Sequence, residues 1–136
     1  MTVLETVNWT GEIATMTHPN DPPHLRLRVV FGEGRMVGPG KAELLERIGR
    51  CGSIAAAGRE MGMSYKRAWM LIETMNAMFA APVVESTRGG PGGGGAVLTD
   101  MGIEILRRYR ALETVAVEAG ATEVEGLAAL LRDVTE

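Results

Sequence analysis

Hydrophobic positions recur along this chain in rhythms that change from segment to segment. Leu25, Leu27, Val29 and Phe31 alternate with Arg26 and Arg28, the period-two pattern of a half-exposed strand, closed by Gly32 and Gly34. After Gly38-Pro39 the spacing becomes helical, with Leu44, Leu45 and Ile48 on one side. Glu43 with Arg47 and Glu46 with Arg50 form outward i,i+4 pairs on that helix, which Cys51-Gly52 ends. Ser53 caps a short, small-sided helix: Ile54, Ala55, Ala56, Ala57, Gly58, Arg59, Glu60, Met61. Gly62 breaks it where a left-handed residue is wanted. Ser64 caps a third helix whose buried stripe is Ala68, Leu71, Ile72, Met75 and Phe79, stopped by Pro82.

The pattern then turns to a hairpin. Val83 to Thr87 reads as a strand, and Ala96-Val97-Leu98 as its return. Between them Arg88-Gly89-Gly90-Pro91-Gly92-Gly93-Gly94-Gly95 is too rich in glycine and proline for anything but a turn or loop. Thr99 caps a long helix with Ile105, Tyr109, Leu112 and Ala116 on one face. Gly120-Ala121 is expected to interrupt it, with Thr122 and Glu125 forming a capping box for a last helix. Residues 1–23 show no sustained period and read as a flexible leader, in which Met16 is a second candidate start.

Helix, short turn, helix, hairpin is the order of a winged helix-turn-helix, and the residue types suit its mechanics. Two helices crossing steeply need small residues at the crossing, and Ala56, Ala57 and Gly58 supply them, with Met61 and Met63 as core plugs. Ser64, Tyr65, Lys66 and Arg67 are what the groove-facing tip requires: hydroxyls for phosphates, cations for phosphates or guanine edges. The competing reading is a generic helical hairpin with a solvated Lys66-Arg67 pair.

Composition bounds this picture. The 136 residues are 46% hydrophobic but only 4% aromatic, so the expected core is aliphatic and mainly helical, in one compact domain. The formal charge of −3 argues weakly against nucleic acid, but its distribution does not. Residues 41–110 carry ten Lys/Arg against seven Asp/Glu, and the acid is concentrated after residue 111. The single Cys51 excludes an internal disulfide and fits a reducing cytoplasm. No apolar run approaches a membrane span, and the N-terminus lacks a secretory layout. His18 and His24 have no accompanying ligand cluster, so no metal is expected. The glycine run lacks the Gly-Lys-Ser/Thr and following helix of a phosphate-binding loop. Neither Cys51 nor Ser64 has a partner base, so no enzyme is expected.

Residues 53–69, Ser-Ile-Ala-Ala-Ala-Gly-Arg-Glu-Met-Gly-Met-Ser-Tyr-Lys-Arg-Ala-Trp, resemble the helix-turn-helix of LysR-type and ModE-type regulators. The narrower resemblance is to the DNA-binding domain of the molybdate-responsive ModE family. It rests on Gly-Ser-Ile at 52–54, Ser-Tyr-Lys-x-Ala-Trp at 64–69, Met75-Asn76, and the wing ending Gly-Gly-Gly-Gly-Ala-x-Leu-Thr at 92–99. It covers roughly residues 25–120. The family position at Arg67 is commonly small and polar, a departure that bears on the preferred site. Full-length members continue into molybdate-binding domains with a Ser-Ala-Arg-Asn-Gln motif, which this sequence does not contain. The chain is therefore expected to hold no molybdate cofactor itself. It would be a single-domain relative, work with a separate sensor protein, or not sense molybdate.

The resulting expectation is a mainly α protein: a winged helix-turn-helix over 24–98 and a helical dimerisation extension over 99–136. Its candidate DNA contacts are Ser53, Ser64, Tyr65, Lys66, Arg67, Arg88, Gly89, Gly90 and Gly92. Trp69 either touches DNA or packs within the domain, and its place beside Met70 and Glu73 favours packing. Ile105, Tyr109, Leu112 and Ala116 are the candidate dimer face, because the domain offers them no obvious partner. The resemblance likewise implies pairing through the long helix and the N-terminal region. The expected partners are double-stranded DNA and a second copy, and the expected activity is repression of molybdenum-metabolism genes at a palindromic operator. A protein-interaction module that kept the fold without operator binding is the alternative.

Overall fold

A computed structural model describes residues 21–87 and 95–133. The order is β1 (Val29–Gly32), β2 (Arg35–Val37), α1 (Pro39–Cys51), α2 (Ile54–Glu60), α3 (Tyr65–Met78), β3 (Val84–Thr87), β4 (Gly95–Leu98) and α4 (Asp100–Ala129). The two hairpins are separate antiparallel pairs, β1 with β2 and β3 with β4. This is a winged helix-turn-helix followed by a long helix, the fold class expected. Most of the leader, and the glycine-rich run at 88–94 expected to be a turn or loop, lie outside the described residues.

Each helix begins and ends where its caps place it. Pro39 opens α1, and Gly52 closes it at φ +70°, its N–H donating to the Ile48 carbonyl. The Ser53 hydroxyl accepts from the Ala56 amide at 3.0 Å to start α2. Gly62 takes φ +76° in the turn, and Ser64 Oγ accepts from the Arg67 amide at 3.1 Å to start α3. Gly58 is buried where α2 crosses α3, and a Cβ there would stand 3.0 Å from the Ala68 Cβ. The close crossing needs that glycine. Leu44, Leu45, Ile48, Ala57, Met63, Ala68, Ile72, Met75 and Val83 make one core beneath the three helices, and Met61 packs against it.

Two expectations about the flanks are corrected. The alternation at Leu25–Phe31 becomes a strand only from Val29, and it pairs with β2, which the pattern did not announce. Gly32, Glu33 and Gly34 all take positive φ to turn that hairpin. Leu25 and Leu27 instead lie along α4: the Tyr109 hydroxyl donates to the Leu27 carbonyl at 2.6 Å, and Leu25 reaches Gly120. The long helix is also not interrupted at Gly120-Ala121, and no separate helix starts at Thr122; α4 runs unbroken for 30 residues. One interior glycine costs a helix only about 1 kcal/mol, less than the hydrogen bonds a break would forfeit. Among the described residues no helix is long and apolar enough to cross a membrane.

Candidate nucleic-acid interface

The first turn of α3 carries three of the candidate contacts, two exposed and one half-buried. Tyr65 is 57% exposed and Lys66 points to solvent. Arg67 is half-buried, and its Nε and Nη2 are buried without a hydrogen-bond partner among the described residues. The Ser64 hydroxyl is committed to capping the helix, as Ser53 is on α2. Trp69, for which packing was favoured, is instead 44% exposed. It stands one turn beyond Tyr65, outside the buried stripe of Ala68, Ile72 and Met75.

The wing is bound to the helix-turn-helix at both of its strands. Ala96 of β4 donates to the Gly52 carbonyl at 2.9 Å. Gly95 sits so close to that turn that a Cβ would be 2.7 Å from the Gly52 oxygen. Thr87 Oγ1 accepts from the Gly95 amide at 2.9 Å, closing the described end of the hairpin. On the other strand, Asn76 Oδ1 accepts from Val83 N at 2.7 Å and from Val84 N at 3.3 Å, while its Nδ2 donates to Val84 O. Asn76 therefore ties the wing to α3. In the sequence Asn76 stands out only as part of the Met75-Asn76 motif; an amide within an otherwise apolar helix end is the signal for its structural duty.

These attachments bring Ser53, Tyr65, Ser86, Thr87 and Gly95 around one open cleft of about 280 Å³. Lys66 and Arg67 do not line it. Arg88, Gly89, Gly90 and Gly92 lie outside the described residues.

Charge is sorted between the two sides of the domain. Arg47 joins Glu43 at 2.7 Å and Glu60 at 3.0 Å, linking α1 to α2. Hydrogen bonding to Glu60, and then to Glu43 against some desolvation, raises the Arg47 pKa. Arg110 of α4 meets Glu46 at 2.6 Å and Glu113 at 2.9 Å, linking α4 to α1. Arg50, Arg107 and Arg108 also pair with glutamates. Arg59, Lys66 and Arg67, on α2 and α3, form no ion pair among the described residues. The two helices of the motif thus carry three cations with no ion-pair partner among the described residues. No group of three metal-ligating side chains occurs among the described residues.

The expected dimer face divides. Tyr109 is only 4% exposed and packs with Val37 and Ala42 of its own chain, so it does have a partner within the domain. Ile105 packs against the main core, Ala116 is half-buried, and Leu112 remains exposed.

Two helices crossing at Gly58 and Ala68, with a wing clamped to the second of them, define a winged helix-turn-helix. Residues 40–103 match the bacterial regulatory helix-turn-helix proteins of the lysR family. Relatives bear out the ModE-type resemblance of the motifs. The molybdenum-pterin-binding protein MopB of Rhodobacter capsulatus is 50% identical over 80 residues, 59% of this chain and 30% of its own. The molybdenum transport protein ModE of Azotobacter vinelandii is 48% identical over 73 residues, 54% of this chain and 27% of its own. The DNA-binding transcriptional dual regulator ModE of Escherichia coli is 40% identical over 81 residues, 60% of this chain and 31% of its own. The chain thus spans under a third of the length of these relatives.

Proposed function

We propose that this protein is a sequence-specific DNA-binding transcription regulator of the ModE type, acting on genes of molybdenum metabolism. The observation that carries the reading is the joint presentation of Tyr65, Ser53 and the wing strands around one cleft, with Lys66 unpaired beside it. The helix α3 enters a major groove, Lys66 supplies a cation to phosphate or guanine, and the wing follows the neighbouring backbone. The protein acts as a homodimer on a palindromic operator, as a repressor. Support for pairing comes from α4, which leaves Leu112, Val115 and Val117 exposed. It also borders an apolar cleft of about 300 Å³ formed with Val29, Phe31, Val37 and Phe79. Two reading heads on a two-fold axis then require half-sites about 10 base pairs apart or a multiple of that. Molybdate is not bound by this chain.

An electrophoretic shift with DNA from upstream of molybdenum-transport genes tests the reading, with sedimentation of the free protein beside it. The expected result is a discrete complex that a scrambled duplex does not displace, formed by a dimer at micromolar concentration. Equal binding to both duplexes, or none, favours an interaction module that has kept the fold without operator binding.

A further inference from the structure

Resting on the DNA-binding reading above, we infer that Trp69, with Met70 beside it, reads thymine methyl groups in the major groove. The face of α3 away from the core is Tyr65, Lys66, Trp69, Met70 and Glu73, which share one side of the helix at spacings of one, four, five and eight. Of these, Tyr65, Trp69 and Met70 are large apolar or amphipathic side chains, and Trp69 and Met70 are 44% and 52% exposed. The same helix buries Ala68, Ile72 and Met75 completely or nearly so, so its apolar positions are divided between two opposite duties. One stripe fills the core. The other has no partner in the domain, yet it begins at the tip residues Tyr65 and Lys66 and runs away from the wing cleft.

A major groove floor is mostly hydrogen-bond donors and acceptors, and its one apolar feature is the thymine C5 methyl. Apart from the indole N–H, which can donate to any base acceptor, the carbon face of Trp69 and the thioether of Met70 find no apolar partner on guanine or cytosine edges that would repay their exposure. They gain by covering methyl groups. Trp69 lies about 6 Å along the helix axis from Tyr65, which is close to two base-pair steps. Glu73 ends the stripe one turn later, since a carboxylate there opposes closer approach of phosphate. The division of labour that follows is a cation at Lys66 for position and polarity, and an apolar second turn for thymine.

The test uses the full chain and a duplex enriched by it from a random-sequence pool. Each thymine in a half-site is replaced in turn by deoxyuridine, which removes only the methyl. At one or two positions the affinity of the unmodified protein is expected to fall about three- to fourfold, the factor for one buried methyl group. Trp69→Ala should bind more weakly and lose that sensitivity, while Lys66→Ala should bind more weakly and keep it. Sedimentation of Trp69→Ala should show the same oligomeric state as the parent. Enrichment without any uracil-sensitive thymine, sensitivity that persists in Trp69→Ala, or a changed oligomeric state overturns the inference and leaves DNA binding standing. Failure to enrich any duplex overturns the DNA-binding reading itself.

Discussion

The amide of Asn76 holds the backbone of Val83 at 2.7 Å, so the last turn of α3 and the first residues of the wing are one rigid piece. Val83 is fully buried, and its N–H has this side chain for an acceptor. Removing the amide in Asn76→Ala leaves the Val83 N–H, and with it that of Val84, without the acceptor they share. The expected destabilisation is about 1–3 kcal/mol in chemical denaturation, the usual cost of stranding a buried donor. DNA affinity should fall further than the loss of folded protein explains, because wing and helix no longer share a frame.

Gly102 permits a similarly tight approach at the root of α4. A Cβ there would collide with the Val83 carbonyl oxygen, a backbone atom that cannot swing aside. Gly102→Ala should therefore destabilise by about 1–3 kcal/mol despite the better helix propensity of alanine. Gly126→Ala is the control, since nothing lies within 4 Å of its added Cβ, and it should be neutral or stabilising.

Lys66 and Arg67 are adjacent in sequence and should behave differently. Lys66→Ala should leave stability unchanged and weaken DNA binding. A phosphate contact would reduce the salt slope by about one, whereas a guanine contact would cost ~1–3 kcal/mol at one base position. Arg67→Met removes two buried donors that have no partner among the described residues, so unfolding free energy should hold or rise. A loss of stability in Arg67→Met would mean that its guanidinium is an internal strut.

Glu104 gives the domain a specific response to acid. Hydrogen bonds from Arg107 and then Arg108 lower its carboxyl pKa from 4.5 to about 2. A carboxyl lowered on folding adds stability that is complete above its unfolded pKa and lost as pH falls through the folded one. The stability difference between the parent and Glu104→Gln should therefore be flat above about pH 5 and shrink between 4.5 and 2. Carbon-detected titration should place the Glu104 midpoint near 2 and return it towards 4.5 in Arg107→Ala/Arg108→Ala. A midpoint already near 4.5 in the parent would show that these exposed pairs do not persist in solution.

Molybdate should give no saturable heat in isothermal titration against the full chain, even at millimolar concentration, and should leave DNA affinity unchanged. An oxyanion needs a pocket of oriented donors, and the dense amide source in this sequence is the glycine run beside Arg88. A tight isotherm of one per protomer would overturn this expectation.

What the sequence made legible follows the kind of physics each residue obeys. The helix-turn-helix was readable because its controls are local: Ser53 and Ser64 cap within three residues, and Gly52 and Gly62 take left-handed conformations demanded by the next turn. The hairpin β1–β2 was half hidden, since Arg35–Val37 is three residues between two glycines, too short to show alternation. Leu25 and Leu27 alternated for another reason. An extended segment lying on a helix buries every second residue just as a strand does. Tyr109 looked unpartnered because its partners, Leu27, Val37 and Ala42, are more than 60 residues away in sequence. Trp69 departs from the expectation of packing because only the position of the buried stripe reveals which way an isolated tryptophan on a helix faces.

The unbroken α4 is, mechanically, a lever about 45 Å long. Its short arm is seated at Thr99, whose hydroxyl holds the Pro82 carbonyl, and at Gly102 against Val83. Val83 in turn is gripped by Asn76 of α3. A tilt of ~10° at that seat sweeps the far end through roughly 8 Å. The converse also holds: whatever steadies the far end fixes the aim of α3, with mechanical advantage on its side. Continuity through Gly120 is what makes this possible, because a joint there would let the distal half swing without turning the reading head.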